Sequence, residues 1–215
     1  MTPYHPPHGA IEYLHIDEAI IAINKQAGLL SVPGRGPEKA DCAVSRIEAD
    51  HPSALIIHRL DMATSGILLF ARTKDAQARL SKQFQNGNIT KRYIAKVWGQ
   101  PDPASGLIDL PLTTDWPNRP KQKIDLENGK PSQTRYETDS TQPGTARLTL
   151  TPLTGRSHQL RVHMLSIGHP IIGDQLYAHE AARSAAPRLC LHAAEIEFFH
   201  PTTSARLNIY SPAPF

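Results

Sequence analysis

Cysteines and long apolar segments are both scarce in this sequence of 215 residues, and each shortage excludes a class of protein. Cys42 and Cys190 alone form neither a disulfide framework nor a four-thiolate metal site, so we expect two buried thiols. No apolar run approaches the roughly 18 to 20 residues that a membrane span needs. The first ten residues contain Pro and His where a secretory signal needs a basic start and an apolar stretch, which predicts a cytoplasmic protein.

Local motifs for nucleotide cofactors and for an activated serine are also missing. The sequence has no Walker loop, no Gly-x-Gly-x-x-Gly fingerprint and no Gly-x-Ser-x-Gly elbow. Its eleven histidines include no His-Glu-x-x-His string, and the spacings among His158, His163 and His169 do not encode tetrahedral ligation. We therefore predict an activity that uses neither a metal nor another cofactor.

What the sequence does contain is ordinary globular composition with frequent turn residues. Hydrophobic residues make up 40% and charged residues 20%, which predicts a buried core, while a net charge of +3 by itself identifies no partner. Nineteen Pro and thirteen Gly separate short apolar runs, which predicts a β-rich mixed fold. We expect helices at 74–84, capped by Thr73, and at 157–167, capped by Ser157. We expect separate strands at 189–194 and 196–199, with a hairpin from 196–199 to 206–210.

A lone carboxylate, Asp61, lies between two apolar segments. Because removal from water disfavours the charged form of a carboxylate, Asp61 needs a cation nearby to stay ionised there. Arg59 shares a strand face with Asp61 by the two-residue period. The alternative is that Asp61 only caps the turn made by Thr64, Ser65 and Gly66.

A second candidate is the string from Thr154 to His163, where a turn leads into the predicted helix. Helix N-termini attract anions, and Arg156 and His158 add to this, so we expect a phosphate or carboxylate there. Arg161 lies one helical turn after His158, and one of the two side chains could reach Asp61. A solvated basic helix face is the alternative.

Aromatic side chains offer weaker signals. Tyr93, in the strand-like run 91–99, stacks on a base, exchanges a proton or simply packs. The other aromatic residues considered, for which we predict packing alone, are Tyr136, Tyr177, Trp98 and Trp116.

The polar stretch 113–135 is the one candidate for a long excursion from the core.

These strings together resemble the RluA family of pseudouridine synthases over nearly the whole chain. The strings that resemble its catalytic, tyrosine and third motifs are His58-Arg59-Leu60-Asp61 with Thr64-Ser65-Gly66, then Lys91-Arg92-Tyr93-Ile94-Ala95, then 154–163 with Gly168-His169-Pro170-Ile171 and Gly173-Asp174. The strings that resemble its first motif and closing strands are Asn24-Lys25 with 28–34, and Leu189 to Ala193 with His200-Pro201. One departure is Gln26, where the family usually has Pro.

The resemblance implies an α+β fold with a central, mainly antiparallel mixed β-sheet, flanking helices and loops, and an RNA-binding cleft. It implies a single pseudouridine synthase catalytic domain over residues 1–215. Since the first motif begins at Asn24, we expect no N-terminal S4 RNA-binding domain, which many members carry. The implied activity is isomerisation of specific uridines in structured RNA, namely a 23S rRNA hairpin loop, a tRNA anticodon stem-loop, or both. We expect a monomer with no membrane or DNA partner.

The resemblance also implies roles for particular residues. Asp61 would engage the target uridine, Tyr93 would line the pocket and handle a proton, and Arg161 would pair with Asp61. Arg59 would enter the RNA stack as the uridine is everted. The residues predicted to bind RNA are Arg59, Arg119, Lys121, Lys123, Arg156 and His158.

Two other functions stay open at this point. A glycoside hydrolase could use Asp61 against an anomeric carbon, with Asp174 as the second carboxylate that such enzymes need. An RNA-binding module without catalysis would leave Asp61 dispensable.

Overall fold

The computed structural model describes residues 4–215, and in it the chain forms two compact units. The first unit comprises residues up to Thr90 together with Ala193–Ala213. The second comprises Lys91–His192 together with Pro214–Phe215. Each unit combines mainly antiparallel strands with a few helices, which confirms the predicted α+β class.

The first unit is built around a strand that is buried along its whole length. Its elements are β1 (Glu12–Ile16), β2 (Ile20–Lys25), α1 (Ala43–Asp50), β3 (Leu55–Ile56), β4 (Ser65–Ala71), α2 (Lys74–Gln85), β11 (Leu191–Phe199, here from Ala193) and β12 (Arg206–Tyr210). Strands β1, β2, β4 and β11 lie side by side, with β12 on β11 and β3 on β4. The β1–β2, β2–β4, β3–β4 and β11–β12 pairs are antiparallel.

Helix α2 closes the core of this unit. Thr73 caps it as predicted, because its Oγ1 accepts a hydrogen bond from the backbone N–H of Ala76 at 3.1 Å. Ala76 and Leu80 are buried in one apolar cluster with Leu69 and Phe198. Burial of each large side chain in such a cluster stabilises the fold by about 1.5–3 kcal/mol.

The second unit is an antiparallel sheet with a separate two-stranded ladder. Its elements are β5 (Thr90–Trp98, here from Lys91), β6 (Ser105–Asp109), β7 (Leu112–Thr114), β8 (Gln122–Ile124), β9 (Gln133–Gln142), β10 (Thr145–Pro152), α3 (Gln159–Ser166) and α4 (Glu180–Ser184). The sheet has the order β5, β10, β9, β6, and β7 pairs with β8 across the short 3-10 turn Trp116–Asn118. The polar excursion predicted at 113–135 therefore contains the β7–β8 hairpin.

Two local predictions were wrong. Ser157 does not cap α3, because the helix begins two residues later and its N-cap is His158, whose φ of 55° places it in the left-handed region. The side chain of Gln159 folds back to accept from the Arg156 N–H at 3.0 Å, and the Gln159 N–H donates to the Arg156 carbonyl at 3.2 Å, so these two bonds close the turn before the helix. The runs 189–194 and 196–199 are a single strand, β11, since the half-buried Glu195 continues the extended backbone.

Other simple predictions are confirmed. The hairpin from β11 to β12 forms with Phe199 opposite Arg206. Cys42 and Cys190 are buried free thiols, and burial raises the pKa of Cys190, which keeps it protonated and unreactive.

Within residues 4–215, no helix is both long and apolar enough to cross a membrane.

Candidate active site

The predicted catalytic carboxylate, Asp61, lies in the loop between β3 and β4 of the first unit. Its side chain is half-buried, and its backbone carbonyl accepts a hydrogen bond from the Thr64 N–H at 3.1 Å, which closes the turn into β4. Arg59, two residues earlier, is exposed. The loop thus carries a half-buried acid and, two residues before it, an exposed arginine.

The residues on both sides of Asp61 are held by the segment that follows β2. The Ser31 hydroxyl donates to the Leu60 carbonyl at 2.7 Å and accepts from the Leu60 N–H at 3.1 Å. The ammonium of Lys25, which is fully buried, donates to the Met62 carbonyl at 3.2 Å, and the Gly28 N–H donates to the same oxygen at 2.8 Å. The backbone is therefore fixed immediately before and after the acid.

Lys25 is itself held in place by its own segment. Its Nζ donates to the carbonyls of Leu29 at 2.7 Å and Gln26 at 2.9 Å. A buried ammonium is costly unless its protons are bonded, and carbonyl oxygens meet that need here. This explains why the string that resembles the first motif contains lysine, and it is a role that the sequence alone did not reveal.

The segment that carries Asp61 is also constrained farther from the acid, at His58 before it and at Gly66 after it. The ring of His58 accepts a hydrogen bond at Nε2 from the Leu69 N–H at 3.0 Å and packs on Phe84, 5.0 Å between centroids. Gly66 has a φ of 108°, and a Cβ there would collide with the backbone of Ala193. Only glycine satisfies both the dihedral angle and the close approach.

Arg161, the predicted cation, lies on α3 in the second unit and is buried. Its Nε donates to Asp174 Oδ2 at 2.8 Å and its Nη2 to Asp174 Oδ1 at 2.6 Å, a bidentate pair with side chains 4% and 0% exposed. Asp174 also accepts from the N–H groups of Leu176 and Tyr177 at 2.9 and 3.3 Å. The carboxylate therefore sets the plane of the guanidinium.

This arrangement bears on the glycoside hydrolase hypothesis. That hypothesis needs Asp174 to carry a proton to a leaving group. Both of its oxygens accept charge-assisted hydrogen bonds from Arg161, so neither is placed to carry one. Asp174 is a positioning residue for Arg161.

Tyr177 connects the third-motif residues to the β7–β8 hairpin. Its hydroxyl oxygen accepts from the Gln122 N–H at 2.7 Å and lies 2.7 Å from His158 Nδ1. The guanidinium carbon of Arg161 lies 5.1 Å from the centre of its ring. His158 and Arg161 therefore both contact Tyr177, and the prediction that Tyr177 only packs was wrong.

Tyr177→Phe is expected to lower the free energy of unfolding by about 1–3 kcal/mol, because the part-buried Gln122 N–H loses its acceptor. Denaturant titration measures this change, and hydrogen exchange at the Gln122 amide should accelerate. Tyr210→Phe is the control, since Tyr210 is exposed. Equal stabilities for the two variants would contradict the anchoring role.

Tyr93 lies on β5, half-buried and opposite Leu150 of β10. Lys91, two residues before it on the same strand, has its pKa lowered by burial. A Cβ on Gly155, in the turn before α3, would lie 3.8 Å from Lys91 Nζ. The tyrosine string and the third-motif turn are thus neighbours within the second unit.

The remaining predicted RNA-binding residues fall into two places in the second unit. Arg119 and Lys123 are exposed and Lys121 is half-buried, all in the β7–β8 hairpin. Arg156 is exposed in the turn before α3, where its Nε donates to the Pro131 carbonyl at 3.2 Å. Across the part of the chain described, the His, Cys, Asp and Glu side chains form no cluster suited to a metal.

Comparison with known proteins gives consistent matches over the whole chain. The family described as RNA pseudouridylate synthase matches residues 19–166. The dual-specificity RNA pseudouridine synthase RluA of Escherichia coli (strain K12) is 51% identical over 217 residues, covering 100% of this chain and 99% of that protein. The protein of the same name from Yersinia pestis is 50% identical, covering 94% and 98%. The solved structure of human RNA pseudouridylate synthase domain containing 1 has a TM-score of 0.80 at 26% identity, covering 98% and 87%.

Proposed function

Because this chain belongs to the RNA pseudouridylate synthase family and is an RNA pseudouridine synthase, we propose that Asp61 is its catalytic carboxylate. The reaction breaks the bond between C1′ of the ribose and N1 of uracil, turns the base, and joins C1′ to C5. The C5 proton goes to solvent and N1 gains a proton, so nothing else is consumed. The observation that carries the proposal is the immobilised Asp61 loop, with Leu60 and Met62 hydrogen-bonded on either side of the acid.

We propose Arg161 as the cation that keeps Asp61 ionised in a site from which water is excluded. Two unit charges about 4 Å apart attract by about 4 kcal/mol at an effective dielectric constant of about 20, before desolvation costs are subtracted. The bidentate pair with Asp174 supports the role, because it holds the guanidinium plane in one orientation. Tyr93 is proposed to line the pocket and to exchange a proton with the base.

The target uridine has to leave its stack to meet a carboxylate in a pocket. Extrusion of a base costs a few kcal/mol and costs least where the base already lies in a loop. We propose that the exposed Arg59 fills the vacated place in the stack. Hairpin loops, in 23S rRNA and in tRNA anticodon arms, are therefore the proposed substrates, and the name of the E. coli relative supports two specificities. We propose that the protein works as a monomer in the cytoplasm, without DNA.

The experiment compares uridine in a loop with uridine in a duplex. Purified protein is incubated with an rRNA hairpin, with a tRNA anticodon stem-loop, and with each sequence locked in a full duplex by its complement. Pseudouridine is then mapped at single-nucleotide resolution. We expect conversion at one loop uridine in at least one hairpin and none in the duplexes. Equal conversion in duplex and loop would contradict the extrusion argument.

Lys121→Ala combined with Lys123→Ala should weaken RNA affinity and flatten its dependence on salt. Each phosphate contact that is lost should reduce the slope of log K against log salt by about 0.7–0.9. Lys74→Ala with Lys82→Ala is the control of equal charge change, because both lysines are exposed on α2. Filter binding from low to high salt measures both slopes. An unchanged slope, or an equal fall in the control, would show that the β7–β8 hairpin lies off the RNA.

A further inference from the structure

The β7–β8 hairpin presents a tryptophan to solvent. Trp116, in the turn between the two strands, has 66% of its surface exposed, although we predicted that it packs. The guanidinium carbon of Arg119 lies 3.5 Å from the centre of the indole ring. One face of the ring is therefore covered by a cation, and this contact favours one orientation of the indole.

The turn that carries Trp116 is well braced. The Asp115 N–H donates to the Lys121 carbonyl at 3.0 Å, and the Lys121 N–H donates to the Asn118 carbonyl at 3.0 Å. The side-chain amide of Asn118 donates to Asp115 Oδ2 at 2.9 Å. At the base of the hairpin, Gln122 is bonded to Tyr177 at 2.7 Å. The backbone of this turn therefore does not have to be ordered when a ligand arrives, which lowers the cost of binding.

The surroundings of the indole are suited to a polyanion. Arg119, Lys121 and Lys123 follow Trp116 within seven residues, and Lys130 is exposed after β8. The carboxylate of Asp115 is hydrogen-bonded within the turn to the side-chain amide of Asn118, so cations outnumber acids in this stretch, with Arg119, Lys121 and Lys123 against Asp115. An exposed aromatic face among cations is the combination that binds unpaired nucleotides, by stacking on the base and by attraction of the backbone.

We propose that Trp116 is a stacking platform for one unpaired nucleobase of the RNA substrate, with Arg119 supporting the indole from its other face. The proposal rests on the proposed function, since it takes RNA as the partner. It adds one contact with a base to the proposed contacts with phosphates. Stacking involves no counterion release, so this contact differs measurably from those of Lys121 and Lys123.

The test is a cycle of variants in the protein and in the RNA. Binding of an rRNA hairpin and a tRNA anticodon stem-loop is measured in the Asp61→Asn background, with and without Trp116→Ala. Each loop nucleotide is replaced in turn by an abasic residue. We expect Trp116→Ala to weaken binding about 5- to 150-fold with an unchanged salt slope. For RNA that is abasic at one particular loop position, Trp116→Ala should cause no further loss of affinity. Trp116→Phe should retain much of the affinity for the intact RNA.

Leu126→Ala is the matched control, because Leu126 is 75% exposed just beyond the same hairpin and has no aromatic face. Unchanged affinity of Trp116→Ala would overturn the proposal, as would an equal loss in Leu126→Ala or a loss that no abasic position removes.

In a second measurement, Trp98→Phe leaves Trp116 as the sole tryptophan. The fluorescence of Trp116 should be quenched by RNA unless that one base is missing. Failure of the proposed function is seen separately, as absence of pseudouridine with the unaltered protein.

Discussion

Asp61→Asn is expected to lower kcat by about 10⁴-fold or more while RNA affinity is retained. The substitution keeps the size of the side chain and removes its negative charge. Because Ser31 and Lys25 hold the backbone on either side through main-chain groups, the loop should keep its conformation in the variant. Single-turnover kinetics on a hairpin RNA and equilibrium binding to the same RNA separate the two effects.

Asp75→Asn is the control for this experiment. It makes the same chemical change on the exposed surface of α2, where Asp75 pairs with Arg79. We expect unchanged turnover. Substantial activity in Asp61→Asn would contradict the assignment of the catalytic carboxylate.

Asp174→Asn is expected to lower the free energy of unfolding by about 3–5 kcal/mol, the typical cost when one partner of a buried ion pair is removed. The Arg161 guanidinium would remain buried without the carboxylate that now bonds its Nε and Nη2. Turnover should fall as well, because the guanidinium loses its fixed orientation. Denaturant titration and single-turnover rates measure the two effects.

Asp75→Asn is also the control for the measurement of unfolding free energy. The Asp75–Arg79 pair is exposed, and such pairs contribute about 0–1 kcal/mol. The double variant Arg161→Met with Asp174→Leu should recover part of the stability, since an apolar pair of similar size replaces a buried ion pair while the Leu176 and Tyr177 N–H groups lose their acceptor. It should not recover turnover. Recovery of both would show that Arg161 has no part in the reaction.

Elements defined by local pattern could be predicted from the sequence. Helix α2 has an apolar stripe and a threonine cap within one short segment, and the β11–β12 hairpin has two strands around a turn. The motif strings likewise lie within short spans, which is why the resemblance to the family could be found from them, and the comparisons confirm it. The roles of Asp61, Tyr93 and Arg161 stay predictions.

Features that depend on contacts between distant residues could not be predicted. The partner of Ser31 is Leu60, 29 positions away, and that of Gln122 is Tyr177, 55 positions away. Nothing in the local pattern of the third motif indicated that Asp174 would bind Arg161, although both residues stand within strings that resemble that motif. The left-handed conformation of His158 was missed because a serine before a helix is ordinarily its cap.

The most direct measurement of the central claim uses hairpin RNA labelled with tritium at C5 of its uridines. Formation of a C5 glycoside expels that hydrogen, so we predict release of one tritium to water for each uridine converted, with the base retained in the RNA as pseudouridine. Release of free uracil would instead indicate a glycoside hydrolase. RNA that binds without any release of tritium would indicate a binding module, and either result would contradict the account.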